Sequence, residues 1–182
     1  MKLSKIKKLR EKYDIQLRVL ELTEIIRTIE KKPVNFLVFG LGNDTKIWST
    51  INKGKTVFLE DLDEWYEKII KKNPKIIVYK VKYYTKREDW KKLLKNPEKL
   101  MMKLPKEVLD TKWDVILVDA PRGWKDGQPG RMQSIYTTSK LMKNGHVFVH
   151  DCDREVEAYY SNKFLKKKNF VKEVKGLRHY KI

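Results

Sequence analysis

A single cysteine, Cys152, stands among 182 residues, which rules out an intramolecular disulfide and suits a reducing compartment. Long apolar runs are missing too. Between Met1 and Lys32 only a few apolar residues ever pass without a charge, so this leader has neither a signal-peptide core nor the length of a membrane span. The chain therefore reads as a soluble, cytoplasmic protein with no membrane span. It has no Ser/Gly linker, no internal repeat and no low-complexity tract beyond short lysine runs, which points to one cooperative unit. Two nucleotide signatures are also absent: the Gly-x-x-x-x-Gly-Lys-Ser/Thr of an ATP-binding loop, and the third glycine of a dinucleotide fingerprint, because position 45 is Thr.

What the chain has in excess is positive charge. Its 42 Lys and Arg against 24 Asp and Glu give a formal net charge of +18, while 41% of the residues are hydrophobic. That apolar share is enough for one core in a domain of this size. The charge fits a polyanionic partner such as a phosphate backbone or an acidic glycan, and it equally fits a lysine-rich solvated surface of the heat-adapted kind.

Residues 1–32 read as an N-terminal helical segment, with Ile6, Leu9, Tyr13, Leu17 and Leu20, then Leu22, Ile25, Ile26 and Ile29, at helical spacing. Residues 33–182 alternate apolar runs with amphipathic stretches. Strands are expected over 35–40, 56–59, 76–84, 113–119 and 146–150, and helices over 45–52, 62–72, 88–104 and 131–143. This alternation predicts an α/β, Rossmann-like fold with a mostly parallel central sheet and helices on both faces. A helix over 154–168 and two short strands, 171–174 and 177–180, predict an antiparallel hairpin at the C-terminal sheet edge.

The first strand runs straight into Gly40-Leu41-Gly42 and then a helix. In a doubly wound sheet this turn lies at the switch point where ligands bind, and glycine allows close backbone approach. Glu60, at the end of the second strand, can accept hydrogen bonds from ribose hydroxyls. With no phosphate-binding signature in the chain, S-adenosylmethionine is the nucleoside that fits. The expected cofactor-facing residues are Gly40, Leu41, Gly42, Asp44, Glu60, Asp61, Asp119 and Ala120.

Two further strands deliver Asp119-Ala120-Pro121-Arg122-Gly123 and His150-Asp151-Cys152-Asp153-Arg154 to the same rim. Converging carboxylates repel unless a cation lies between them. Three readings stand side by side. Asp119, Asp151 and Asp153 hold a divalent metal such as Mg, Mn or Co; or Asp119, Asp151 or His150 is a catalytic base for a hydroxyl; or Asp119 caps a helix and Asp151 and Asp153 only pair with nearby arginines. Arg122 and Arg131 bracket a Gly- and Pro-containing loop suited to clamping a carboxylate. Substrate contacts are expected from Arg122, Trp124, Arg131, Tyr136 and Asp153.

Taken in order from Val34 to Ile182, the stretches Asn35 to Gly42, Thr56 to Glu60, Trp113-Asp114 with Val118 to Gly123, Pro129 to Met132 with Ile135-Tyr136, and Val147 to Asp151 with Asp153-Arg154 resemble the glucuronoxylan 4-O-methyltransferase family of polysaccharide-biosynthesis proteins. The resemblance implies methyl transfer from S-adenosylmethionine to the 4-hydroxyl of a glucuronic acid on a glycan, with Gly40, Gly42 and Glu60 at the cofactor. A uronate carboxylate is a natural bidentate partner for the arginine loop. An RNA methyltransferase using the basic surface, and a non-catalytic nucleoside- or partner-binding Rossmann-like protein, are the competing readings.

Overall fold

Apolar residues that face alternately up and down a strand need a layer of helices on each side, and this is what the chain builds. The computed structural model describes all 182 residues. Strands β1 (Phe36–Phe39), β2 (Thr56–Glu60), β3 (Ile77–Lys80), β4 (Val115–Val118) and β5 (His146–Val149) run parallel. With β6 (Phe170–Val174) and β7 (Leu177–Lys181) they form a seven-stranded sheet in the order β3-β2-β1-β4-β5-β7-β6. Strand β7 pairs antiparallel with both β5 and β6. The expected edge hairpin is present, and its turn residues Lys175 (φ 54) and Gly176 (φ 96) both adopt the positive φ that a two-residue hairpin loop favours.

On one face, Leu37, Phe39, Ile116 and Val118 pack with Met132 and Ile135 of α7 (Met132–Leu141) and with Val156 and Tyr160 of α8 (Glu155–Phe164). On the other, Phe36, Val38, Val115 and Leu117 pack with α1 (Leu3–Tyr13), α2 (Val19–Ile29), α3 (Thr45–Ile51) and α4 (Asp63–Lys72). Ile6, Leu22, Ile25 and Ile26 are fully buried there, each contributing about 1.5–3 kcal/mol of hydrophobic stabilisation. The N-terminal helical segment is thus one wall of the common core.

The helix expected over 154–168 ends at Phe164, and two other expected elements are cut shorter still or broken. The strand expected over 76–84 ends at Lys80, because beyond Val81 the backbone is drawn away: the Tyr84 N–H donates to the Gln133 side chain, and the Thr85 hydroxyl to the Pro129 carbonyl. The helix expected over 88–104 is broken into α5 (Trp90–Leu93) and a 3₁₀ turn at Pro97–Leu100, followed by α6 (Lys106–Asp110) after Pro105. Proline lacks the N–H that would continue a helix and is accommodated at its first turn.

Strand β1 has β2 on one side and β4 on the other. The crossovers part at that point, leaving a crevice beyond the carboxyl ends of the strands.

Candidate cofactor and acceptor pocket

That crevice is a cavity of about 330 Å³ lined by the ends of β1, β2, β4 and β5 and by the segment before α2. Gly40 has φ +112, and a Cβ there would lie 3.0 Å from the Ala120 Cβ. Glycine is therefore what lets the β1 turn close against the end of β4. The Gly42 N–H donates to the Thr45 hydroxyl at 3.0 Å as α3 begins.

Glu60 is buried and accepts three backbone N–H groups: Leu41 on Oε2 at 2.7 Å, and Asp61 and Leu62 on Oε1 at 3.0 and 2.8 Å. Burial raises its pKa against the lowering pull of these donors. A carboxylate has about four acceptor positions, so Oε2 keeps one for a ligand hydroxyl. Asp61 also lines the cavity, and burial raises its carboxyl despite the nearby Arg122. Asp44, at the start of α3, is pushed up to about 7 by burial and then by the charge of Asp119.

Across the cavity the β4 and β5 ends form an ionic network. Arg131, only 5% exposed, pairs through Nη2 with Asp119 Oδ1 at 3.1 Å and Asp151 Oδ2 at 2.6 Å, and donates through Nη1 to the His150 carbonyl at 2.8 Å. Arg154 also reaches Asp151 Oδ2, at 2.9 Å. Asp151 holds a left-handed φ of 62, a conformation uncommon outside glycine and found at constrained sites.

His150 Nδ1 lies 2.8 Å from Asp119 Oδ1, and Nε2 lies 3.6 Å from Glu21 Oε1. Burial disfavours charge on this ring, but Asp119 and then Glu21 outweigh it and raise the pKa from 6.5 to about 10. The same ion pairs hold Asp119 below its ordinary value, although burial acts upward on it. All hydrogen bonds that Asp119 accepts through its side chain fall on Oδ1, leaving Oδ2 free at the cavity wall.

A family profile described as IRX15/IRX15L/GXM matches residues 20–102 and 96–180 of the chain. The chain belongs to the IRX15/IRX15L/GXM family. In Arabidopsis thaliana, glucuronoxylan 4-O-methyltransferase 2 is 43% identical over 181 residues, covering 86% of this chain and 62% of that one. Arabinogalactan O-methyltransferase 2 is 37% identical over 199 residues, covering 94% and 66%. The protein IRX15-LIKE is 35% identical over 178 residues, covering 81% and 55%. This family member thus spans between 55% and 66% of the length of these relatives. The solved structures that share its fold include a methyltransferase-like protein from Silicibacter pomeroyi (TM-score 0.58, 14% identity, 92% of this chain and 87% of that one), and the ribosomal protein L11 methylase from Lactobacillus delbrueckii subsp. bulgaricus (TM-score 0.52, 13% identity, 89% and 75%). The Rossmann-like α/β fold that the sequence predicts is the one observed, and these methyltransferase structures share it.

In this IRX15/IRX15L/GXM chain all eight residues expected to face the cofactor line the cavity, as do Arg122, Trp124, Arg131, His150 and Asp151. Four expectations need correction. Arg131 is committed inward to two carboxylates, so it is no free clamp for a substrate. Tyr136 is buried in the core, edge-on to Phe164 at 5.1 Å, because α7 turns its ring away from the rim. Asp153 is exposed beside the hairpin turn at Gly176 and stands apart from the Asp119, His150 and Asp151 group. His150, held as a cation, also has no free lone pair to act as a base near neutrality.

Among the contributors that went unread in the sequence are Ile15, Gln16, Leu17, Leu62 and Trp65, which line the cavity, and Glu21, which reaches His150. Glu21 did leave a signal. It sits four residues before Ile25, on the buried stripe of α2, where a carboxylate is out of place.

Proposed function

We propose that the chain is an S-adenosylmethionine-dependent O-methyltransferase whose acceptor is a sugar hydroxyl on a uronic acid-bearing glycan. One observation carries the cofactor half: in a chain of net charge +18 the β1 and β2 ends of the cavity gather Asp44, Glu60 and Asp61 with no lysine, while Arg131, Arg154 and His150 lie at the β4 and β5 ends against Asp119 and Asp151. Such a wall favours a cationic, phosphate-free ligand. The names of the relatives, glucuronoxylan 4-O-methyltransferase and arabinogalactan O-methyltransferase, support the acceptor class.

When bound, S-adenosylmethionine supplies a methyl group already activated by a sulfonium. The chain's own part is placement. Gly40 and Gly42 let the nucleoside approach the backbone, Glu60 Oε2 and Asp61 take ribose hydroxyls, and Asp44 faces positive charge. Asp119 Oδ2 accepts the hydrogen bond of the acceptor hydroxyl. With the bound nucleoside supplying the methyl group and keeping its sulfur as a neutral thioether, the proton that the acceptor hydroxyl gives up would pass through Asp119 to solvent. Most of the acceleration comes from alignment. Arg122, whose guanidinium lies 5.7 Å over the Trp124 ring, is the cation free to meet a uronate carboxylate.

A divalent metal is favoured by one observation, the donor atoms of Asp119, His150 and Asp151 within 4.8 Å of one another. As arranged, these residues do not fit an ion. Arg131 and Arg154 already neutralise the carboxylates, and His150 Nδ1 is tied to Asp119.

Calorimetric titration with S-adenosylmethionine and S-adenosylhomocysteine tests the cofactor, and mass spectrometry of glucuronoxylan oligosaccharides tests the acceptor. Binding of both nucleosides and methylated uronate are the expected results. Absence of nucleoside binding overturns the reading.

A further inference from the structure

Glu21 is 1% exposed and stands in the first turn of α2. Its Oε2 accepts the Arg18 N–H at 2.6 Å, which closes the helix start. The other oxygen, Oε1, is buried without a hydrogen-bond partner, 3.6 Å from His150 Nε2. Capping explains only the first oxygen. A buried carboxylate oxygen lacking a partner is costly, and the one cation facing it is the His150 ring.

That ring is shared between two elements. Its Nδ1 braces Asp119 Oδ1 from the β5 side, while Nε2 turns toward α2. Arg131 and Asp151 approach the ring from the same rim. Rotation of the imidazole about its Cβ–Cγ bond would leave Asp119 Oδ1 held by Arg131 alone, and Oδ2 could then reorient. The charge of Glu21 at Nε2 adds to the Nδ1–Asp119 hydrogen bond in opposing that rotation.

We propose that Glu21 is a positioning residue for methyl transfer: from the N-terminal segment it fixes the His150 ring, and through that ring it sets the Asp119 carboxylate toward the acceptor hydroxyl. The proposal rests on the reading of Asp119 as the partner of that hydroxyl. It also gives the segment before α2 a part in the reaction, beside the wall that Ile15, Gln16 and Leu17 lend to the cavity.

Glu21→Gln separates the two roles of this side chain. Its amide oxygen still accepts the Arg18 N–H, but the amide group then presents N–H toward a ring N–H. Expected are a kcat lowered by at least about tenfold, a Kd for S-adenosylmethionine within twofold of the parent, an unchanged melting temperature, and a displaced His150 Nε2–H resonance in ¹⁵N-resolved spectra of the imidazole. Glu24→Gln, on the same helix and paired with Lys172, serves as the control and keeps full turnover. Full kcat in Glu21→Gln with an active parent overturns the proposal, as do unmoved His150 ring signals. A parent that transfers no methyl group defeats the functional reading instead, so the two failures are told apart.

Discussion

Glu60 Oε2 accepts the N–H of Leu41 at 2.7 Å, so the acid that ends β2 is also the clamp on the glycine turn that follows β1. Glu60→Ala leaves the amides of Leu41, Asp61 and Leu62 without this acceptor, and loss of buried hydrogen bonds costs about 1–3 kcal/mol. We expect a lower melting temperature and a dissociation constant for S-adenosylmethionine raised at least about tenfold, one such step being about 1.4 kcal/mol. Thermal unfolding and calorimetry on the same preparation check both. Unchanged affinity would remove Glu60 from the nucleoside site.

Asp44 should make S-adenosylmethionine binding depend on pH. Its carboxyl is raised to about 7, and only the ionised form attracts a sulfonium or ammonium cation. Affinity for S-adenosylmethionine should therefore strengthen as pH rises through about 7 and weaken below it, with proton release on binding. In Asp44→Asn that dependence should be gone, with the affinity held near the parent's low-pH level and so weaker than the parent's above about pH 7. Titrations in buffers of different ionisation enthalpy measure the proton directly; a parent curve flat across this range would contradict the assignment.

His150 ties stability to pH in the opposite direction. A group whose folded pKa is raised, here from 6.5 to about 10, stabilises fully below its unfolded value, and that contribution is lost as pH rises through the folded one. The melting temperature should fall from about pH 7 to pH 10, and His150→Gln should start lower and fall less steeply. Parallel curves for the two proteins would show that the Asp119 pair carries no such linkage.

Glu157 is fully buried with both carboxylate oxygens unpaired, and burial raises its pKa. Its penalty therefore grows with pH. Glu157→Gln removes the charge at nearly constant volume, and we expect stabilisation by about 1 kcal/mol above neutrality, shrinking toward the ordinary glutamate range. Chemical denaturation at alkaline and acidic pH measures the difference. Destabilisation at alkaline pH would mean that the negative charge is needed by Arg131 or Arg154.

Strands β1, β4 and β5 were legible because each is buried on both faces and reads as an unbroken apolar run. The edge strand β3 was not legible in its extent. Residues 81–84 have the same apolar character, and only Gln133, far along the chain, takes the Tyr84 N–H out of the sheet. In the stretch 88–104 Trp90, Leu93 and Leu100 keep helical spacing, but Pro97 breaks the hydrogen-bond ladder that spacing would need. Asp119 and Asp151 were legible as a pair because each follows a buried strand. Their neutralisation by Arg131 was not, since it depends on β4 lying beside β5 and on α7 beginning at their rim.

By itself the sequence determined the layered α/β arrangement, the glycine turn after β1 and the acid at the end of β2. These rest on local causes: two-residue and helical apolar periods, positive φ at glycine, and the order of segments along the chain. Only the tertiary structure decided which cation balances Asp119 and Asp151, why Arg122 rather than Arg131 is free for a substrate, and that Glu21 reaches the rim at all. Ion pairs between distant segments depend on strand register and helix packing, and no local pattern encodes either.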